Sequence, residues 1–140
     1  MLRTLRRLST MAQQPQYVYK IIPSASVDSR FYFNQPIAAS DTIMMTELDL
    51  KDGFVHMSTA KQVPGVLKRF FDDVPSVAIL RMDYARLSSF KRVTWDQTSS
   101  GESFPHLHAQ IEGENIDSFK EIERNQSWDD ALQWLGDWLV

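Results

Sequence analysis

The sequence predicts an α+β fold in a single domain, on three observations. Phe54–Ser58 and Phe104–Ile111 each alternate apolar and polar residues with the period of two that a half-buried strand imposes. Ser76–Met82 (SVAILRM) is a mostly apolar run of strand length, fit for a sheet interior. From Ser127 onward the apolar residues instead recur at helical spacing, as Trp128, Ala131, Leu132, Leu135, Trp138 and Leu139.

In chain order, residues 1–14 read as an N-terminal extension and residues 17–140 as the domain. Met1–Met11 holds three arginines and no acid, with Leu2, Leu5 and Leu8 on one side of a short helix. Arg-rich, Ser/Thr-containing and acid-poor is how a mitochondrial transit peptide reads, and the rival is an upstream extension with Met11 as an alternative start. The expected location is therefore mitochondrial or cytoplasmic. Tyr17–Ile22 is a β-rich first strand closed by Pro23. Ser24–Asp41 is a long excursion with room for one helical turn, in which Phe31, Tyr32 and Phe33 form an apolar anchor or a surface that closes over a ligand. Ile43–Leu50 leads into Lys51-Asp52-Gly53, a tight turn. After the Phe54–Ser58 strand, Thr59 with Gln62 fits a capping box, and Pro64 suits the first turn of a helix ending near Phe71.

Beyond Ser76–Met82, Asp83–Leu87 makes a turn or short helix. Val93–Asp96 is a brief strand, and Gln97–Ser103 has the composition of a mobile loop. Glu112–Asn115 is a turn, and Ser118–Arg124 reads as irregular or weakly helical. Ser127 with Asp130 forms a second capping box, opening the C-terminal amphipathic helix. Trp134 falls off its apolar stripe and is placed at the surface.

Composition narrows the chemistry. There is no cysteine, which removes disulfides, thiol nucleophiles and zinc–thiolate sites. A net charge of -3 gives no electrostatic reason to expect nucleic acid. No apolar run approaches the roughly 20 residues of a membrane-spanning helix. The oligomeric state is not legible.

What remains is histidine. His56 and Ser58 share one face of their strand and sit at its open end, facing the N-terminus of the following helix, a corner suited to a phosphate or ribose. A lone histidine is more often half-buried and bonded to its neighbours. All three histidines of the chain, however, lie on two strands, with His106, His108 and Gln110 on one polar face of the second. One polar cleft lined by both strands is the simplest account.

Asp52-Gly53-Phe54-Val55-His56-Met57-Ser58-Thr59-Ala60, then Gln62-Val63 and Arg69-Phe70-Phe71, resemble the first signature of the domain of unknown function 952 family. Phe104-Pro105-His106-Leu107 is similar to its second, with Trp95 upstream, Tyr19-Lys20-Ile21 at the opening and Ser127-Trp128 near the close. The likeness runs from about Tyr17 to Val140 and is strongest to fungal members. It implies an ADP-ribosyltransferase-like fold of mostly antiparallel strands and a few helices, whose relatives cradle NAD between two sheets. Carried over, His56 matches the residue that holds a ribose hydroxyl, with Ser58 and Thr59 supporting it. His106 belongs to the family's own motif, and members often carry Tyr where this chain has His108.

Three functional readings follow. The first is binding of NAD or a related small-molecule nucleotide, with ADP-ribosyl transfer or glycosidic cleavage as the chemistry. An oxocarbenium-like centre needs a carboxylate and a stacked aromatic beside it. Glu102 is the candidate carboxylate, Trp95 or Tyr19 the stacking surface, Phe104 and His108 further ligand contacts, and His106 a proton donor or phosphate partner. The second is a three-histidine metal site of His56, His106 and His108 activating water, although no metal is expected under the first. The third is a non-enzymatic module whose aromatic tail docks a partner.

Overall fold

The computed structural model describes residues 14–27 and 36–140. The Met1–Met11 segment and the Phe31-Tyr32-Phe33 anchor lie outside them. The apolar run is the middle strand, Ser76–Asp83, of a three-stranded antiparallel sheet, with Tyr17–Pro23 on one side and Ser118–Glu123 on the other. In chain order these are β1 (Tyr17–Pro23), β4 (Ser76–Asp83) and β8 (Ser118–Glu123). The middle strand is covered on both faces, which is why its sequence is apolar almost throughout. Val18, Ile22, Leu80 and Met82 enter one core, and Tyr19, Ile21, Val77 and Ile79 enter the other.

A second antiparallel sheet runs in the order β3 (Val55–His56), β6 (Ser103–Leu107), β5 (Val93–Gln97). Separately, β2 (Thr42–Ile43) pairs with β7 (Ile111–Glu112) as a short ribbon. The two larger sheets are sewn together by backbone: Tyr19 N–H donates to Ser58 O at 2.7 Å, and Ser58 N–H donates to Tyr19 O at 2.9 Å. Four α-helices occur among the described residues: α1 (Glu47–Asp52), α2 (Val63–Phe70), α3 (Tyr84–Phe90) and α4 (Trp128–Gln133). Pro64 sits in the first turn of α2, as its missing N–H allows.

Four local expectations are corrected. Lys51–Gly53 is not a free turn but the end of α1. Thr46 caps the helix start by accepting from Asp49 N–H, and Gly53 closes it in the left-handed conformation, φ 82°. Phe104–Ile111 is not one strand; pairing stops at Leu107 and resumes with a different partner at Ile111. Ser118–Arg124 is not irregular. Its Lys and Glu residues have low strand preference, but Phe119 and Ile122 register against Leu80 and Val77, and the exposed charges suit a sheet edge. The C-terminal helix is shorter than its periodicity implies. It ends at Gln133, Gly136 follows in the left-handed region (φ 52°), and a 3-10 turn at Gly136–Trp138 returns Trp138 to the core. Trp134 is 88% exposed, off the apolar stripe as expected.

Candidate active site

α1 presents Asp49 and Asp52, three residues apart and so on one side of the helix. After the Gly53 cap, the chain reverses into β3 and lays His56 between them. Asp49 Oδ1 accepts from His56 N–H at 3.0 Å and lies 2.7 Å from His56 Nδ1. Asp52 Oδ2 lies 2.9 Å from Nε2 of the same ring. Beneath this, Lys20 Nζ reaches Asp49 Oδ2 at 2.7 Å and donates to His56 O at 3.1 Å. The Lys20–Asp49 contact is an ion pair off hydrogen-bond geometry, since Oδ2 is a buried atom without a hydrogen-bond partner among the described residues. The side chains of Lys20 and Asp49 are 7% and 0% exposed, and that of His56 is 28% exposed.

Burial alone would raise the Asp49 carboxyl. The His56 ring, the Lys20 charge and the His56 N–H together outweigh it and hold the group at about 2. Burial lowers Lys20, and the Asp49 charge offsets only part of that. Asp49 is therefore a buried carboxylate at neutral pH, fixed against one edge of the His56 ring.

His106 is the register partner of His56 across β3 and β6, and the ring centroids are 5.4 Å apart. It repeats the arrangement: His106 Nδ1 lies 2.7 Å from Asp96 Oδ2. Thr94 donates its hydroxyl to the same oxygen at 2.7 Å, and His108 Nε2 stands 2.8 Å from that hydroxyl. Because Thr94 has one proton and gives it to Asp96, its bond to His108 needs the proton on Nε2. The Thr94 hydroxyl first, then His106, hold Asp96 below the usual carboxylate range. Phe54 fills the space between the imidazoles, stacked on His106 at 4.1 Å and 4.6 and 5.8 Å from His56 and His108. Nε2 of His106 has no partner among the described residues.

The structure thus brings His56, His106 and His108 together around Phe54, but as rings rather than as converging nitrogen donors. Their nitrogens turn to Asp49, Asp52, Asp96 and Thr94. Among the described residues, no group of three or more His, Cys, Asp or Glu is arranged to hold a metal ion. Other expected members lie elsewhere. Tyr19 is fully buried on the far face of β1, its hydroxyl donating to Val140 O at 2.9 Å and accepting from Val140 N–H at 3.0 Å. Trp95 alternates away from Thr94 and Asp96, and its indole N–H donates to Tyr84 Oη at 3.0 Å. Glu102 faces Arg69 Nη2 at 3.7 Å and makes no contact with the histidines. Ser58 is buried with its backbone in the bridge to Tyr19, and Thr59 N–H is taken by Gln62 Oε1. Phe104 is half-buried opposite Asp96, on the His106 side of the strand.

Lys20, Asp49, Asp52, Phe54, Thr94 and Asp96 are not singled out as site residues by the sequence. A signal exists for some: Lys20 is the one charge inside an otherwise apolar strand, Tyr17–Pro23, and Asp52 and Phe54 lie within the first signature stretch, with Phe54 on the His56 face by alternation.

A family model described as "Protein of unknown function (DUF952)" matches residues 33–119. Among solved structures, the crystal structure of protein CC0527 from Caulobacter crescentus aligns with a TM-score of 0.65 at 22% identity, covering 88% of this chain and 97% of that one. The solution NMR structure of CC0527 aligns at 0.59 and 20% identity, covering 89% and 97%. At such identity the likeness shows the fold. No curated protein matches the sequence.

Proposed function

This chain belongs to the DUF952 family of proteins of unknown function, and we propose that it binds NAD or a related ribosyl nucleotide at the His56–His106 face. The observation that carries this reading is the pair itself: two imidazoles directly opposite on adjacent strands, each with Nδ1 fixed 2.7 Å from a carboxylate. A carboxylate on Nδ1 sets the tautomer and strengthens the other nitrogen as a proton carrier. His56 takes a phosphate oxygen of the nucleotide, and Nε2 of His106 donates to or accepts from a ribose hydroxyl or the ligand's reacting oxygen. Phe54, between the rings, replaces Tyr19 and Trp95 as the aromatic surface. The resemblance to the ADP-ribosyltransferase-like fold supplies the ligand class. Glycosidic cleavage or ADP-ribosyl transfer is the chemistry that fits it, with Asp96 rather than Glu102 in the carboxylate role.

Calorimetry with NAD and ADP-ribose on the wild type and His106→Ala tests the reading. His106 is the cleaner variant, because His56 is also the partner of Asp49. One lost hydrogen bond, about 0.5–1.5 kcal/mol net, weakens binding about three- to tenfold. A wild type that binds neither ligand at millimolar concentration overturns it.

A further inference from the structure

We infer that Asp52 occupies, in the free protein, the position on His56 that an oxyanion of the ligand takes, so that the site is closed by an internal, displaceable anion. The inference rests on the ligand-binding reading of this face and adds what kind of group the ligand presents to it.

His56 lies between two carboxylates, Asp49 at 2.7 Å from Nδ1 and Asp52 at 2.9 Å from Nε2. Ionised carboxylates only accept, so both contacts are hydrogen bonds only when both ring nitrogens carry protons. With both contacts made, His56 presents a donor to each carboxylate, and two basic groups, Lys20 and His56, stand against two acidic ones, Asp49 and Asp52. The two carboxylates are not equivalent. Asp49 is fully buried and also holds the His56 N–H and faces Lys20. Asp52 is 37% exposed and reaches the group through Nε2 alone. Its place is also locally unfavourable, because it is the last residue of α1, where the helix dipole disfavours negative charge. Exposed ion pairs contribute a factor of about five or less to an equilibrium constant. An incoming oxyanion can therefore displace Asp52 at small cost, while displacement of Asp49 would strand Lys20 in the core.

The rest of the face suits such an exchange. His106 stands 5.4 Å from His56, with Nε2 unpartnered among the described residues. The charged groups facing His56 are Lys20 from β1, Asp49 and Asp52 from α1, and the His106 ring from β6. A phosphate or carboxylate that takes the Asp52 position offers Nε2 the same kind of acceptor that Asp52 offers.

The test uses the full chain, with inorganic phosphate as the probe and the imidazole ¹⁵N resonances of His56 as the readout. Phosphate should perturb Nε2 and leave Nδ1 in place, since Asp49 remains bound. Asp52→Ala and Asp52→Asn should tighten phosphate binding about two- to fivefold. Glu47→Gln, which removes a charge from the same helix but touches no imidazole, should change it less than twofold. If the Asp52 variants bind phosphate no better than Glu47→Gln does, the inference is overturned. Failure of the nucleotide reading is separate: there, phosphate binds at His56 and tightens as described, yet ADP-ribose binds no better than phosphate. ADP-ribose binding at His56 and His106 with no response to Asp52 is the converse, and it overturns the inference while leaving the nucleotide reading intact.

Discussion

Tyr19 and Lys20 are neighbours on β1 and point to opposite faces, and the two sides of that strand solve burial differently. Tyr19 enters the core shared with Val63, Leu67, Ile79 and Trp128. Its ring packs edge-on to Trp138 at 5.5 Å, and its hydroxyl pins the backbone of Val140. This is an apolar core with one satisfied polar tip. Lys20 enters the other side and places a buried positive charge under Asp49 and His56. Desolvating two charges is costly, and replacing such a pair with packed apolar groups is often neutral or stabilising. A buried ion pair that fixes an imidazole at the surface is thus better explained by the site it orients than by stability.

The contrast can be broken most sharply at Asp49. Asp49→Ala leaves Lys20 buried and uncompensated, and should cost about 3–5 kcal/mol in denaturant unfolding. The pair Lys20→Met with Asp49→Leu should recover most of that, while the His56 ring loses its fixed orientation. If the double variant is as unstable as the single one, the pair is structural.

Acid should separate the same two sides. Asp49 titrates at about 2 when folded, below the ordinary 3.8, so the unfolded chain takes up the proton first. Its stabilising contribution is complete above the ordinary carboxylate range and is lost as pH falls through about 2. Each tenfold change in proton affinity is worth roughly 1.4 kcal/mol, so the contribution amounts to about 2 kcal/mol. Unfolding free energy measured between pH 5 and 2 should show this loss in the wild type and in Tyr19→Phe, and a smaller one in Asp49→Asn.

On the apolar side the expected effect is smaller. Tyr19→Phe removes the hydroxyl that holds Val140 but no ring packing, and should cost about 1 kcal/mol, with ligand binding at the histidines unchanged. Smallest of all, Trp134→Lys should change the unfolding free energy by no more than about 0.5 kcal/mol, because its ring is 88% exposed.

The apolar architecture is easier to see in the sequence than the polar one. Ser76–Asp83 is legible because burial on both faces leaves a continuous apolar run. His56 opposite His106 is legible because alternation places both on polar faces of neighbouring strands. Ser118–Glu123 is not, since an edge strand with Lys120 and Glu121 outward takes its conformation from β4 rather than from its own preference. The partners of the histidines are hidden for a related reason. Asp49 and Asp52 sit in a six-residue helix, too short for a periodic signal, and Asp96 reaches His106 only through the β5–β6 register. Tyr19 reads as a ligand contact because an aromatic residue beside a motif looks the same in sequence whether it faces a ligand or a core.

The most direct measurement is an ADP-ribose titration followed by NMR of the imidazole and Phe54 ring resonances. Saturable shifts are expected at His56, His106 and Phe54, with Tyr19 and Trp128 unmoved. Shifts confined to another surface, such as the concavity of about 390 Å³ lined by Pro75, Ser76, Glu123, Arg124 and Asn125, would contradict it, as would no shift at all at millimolar ligand.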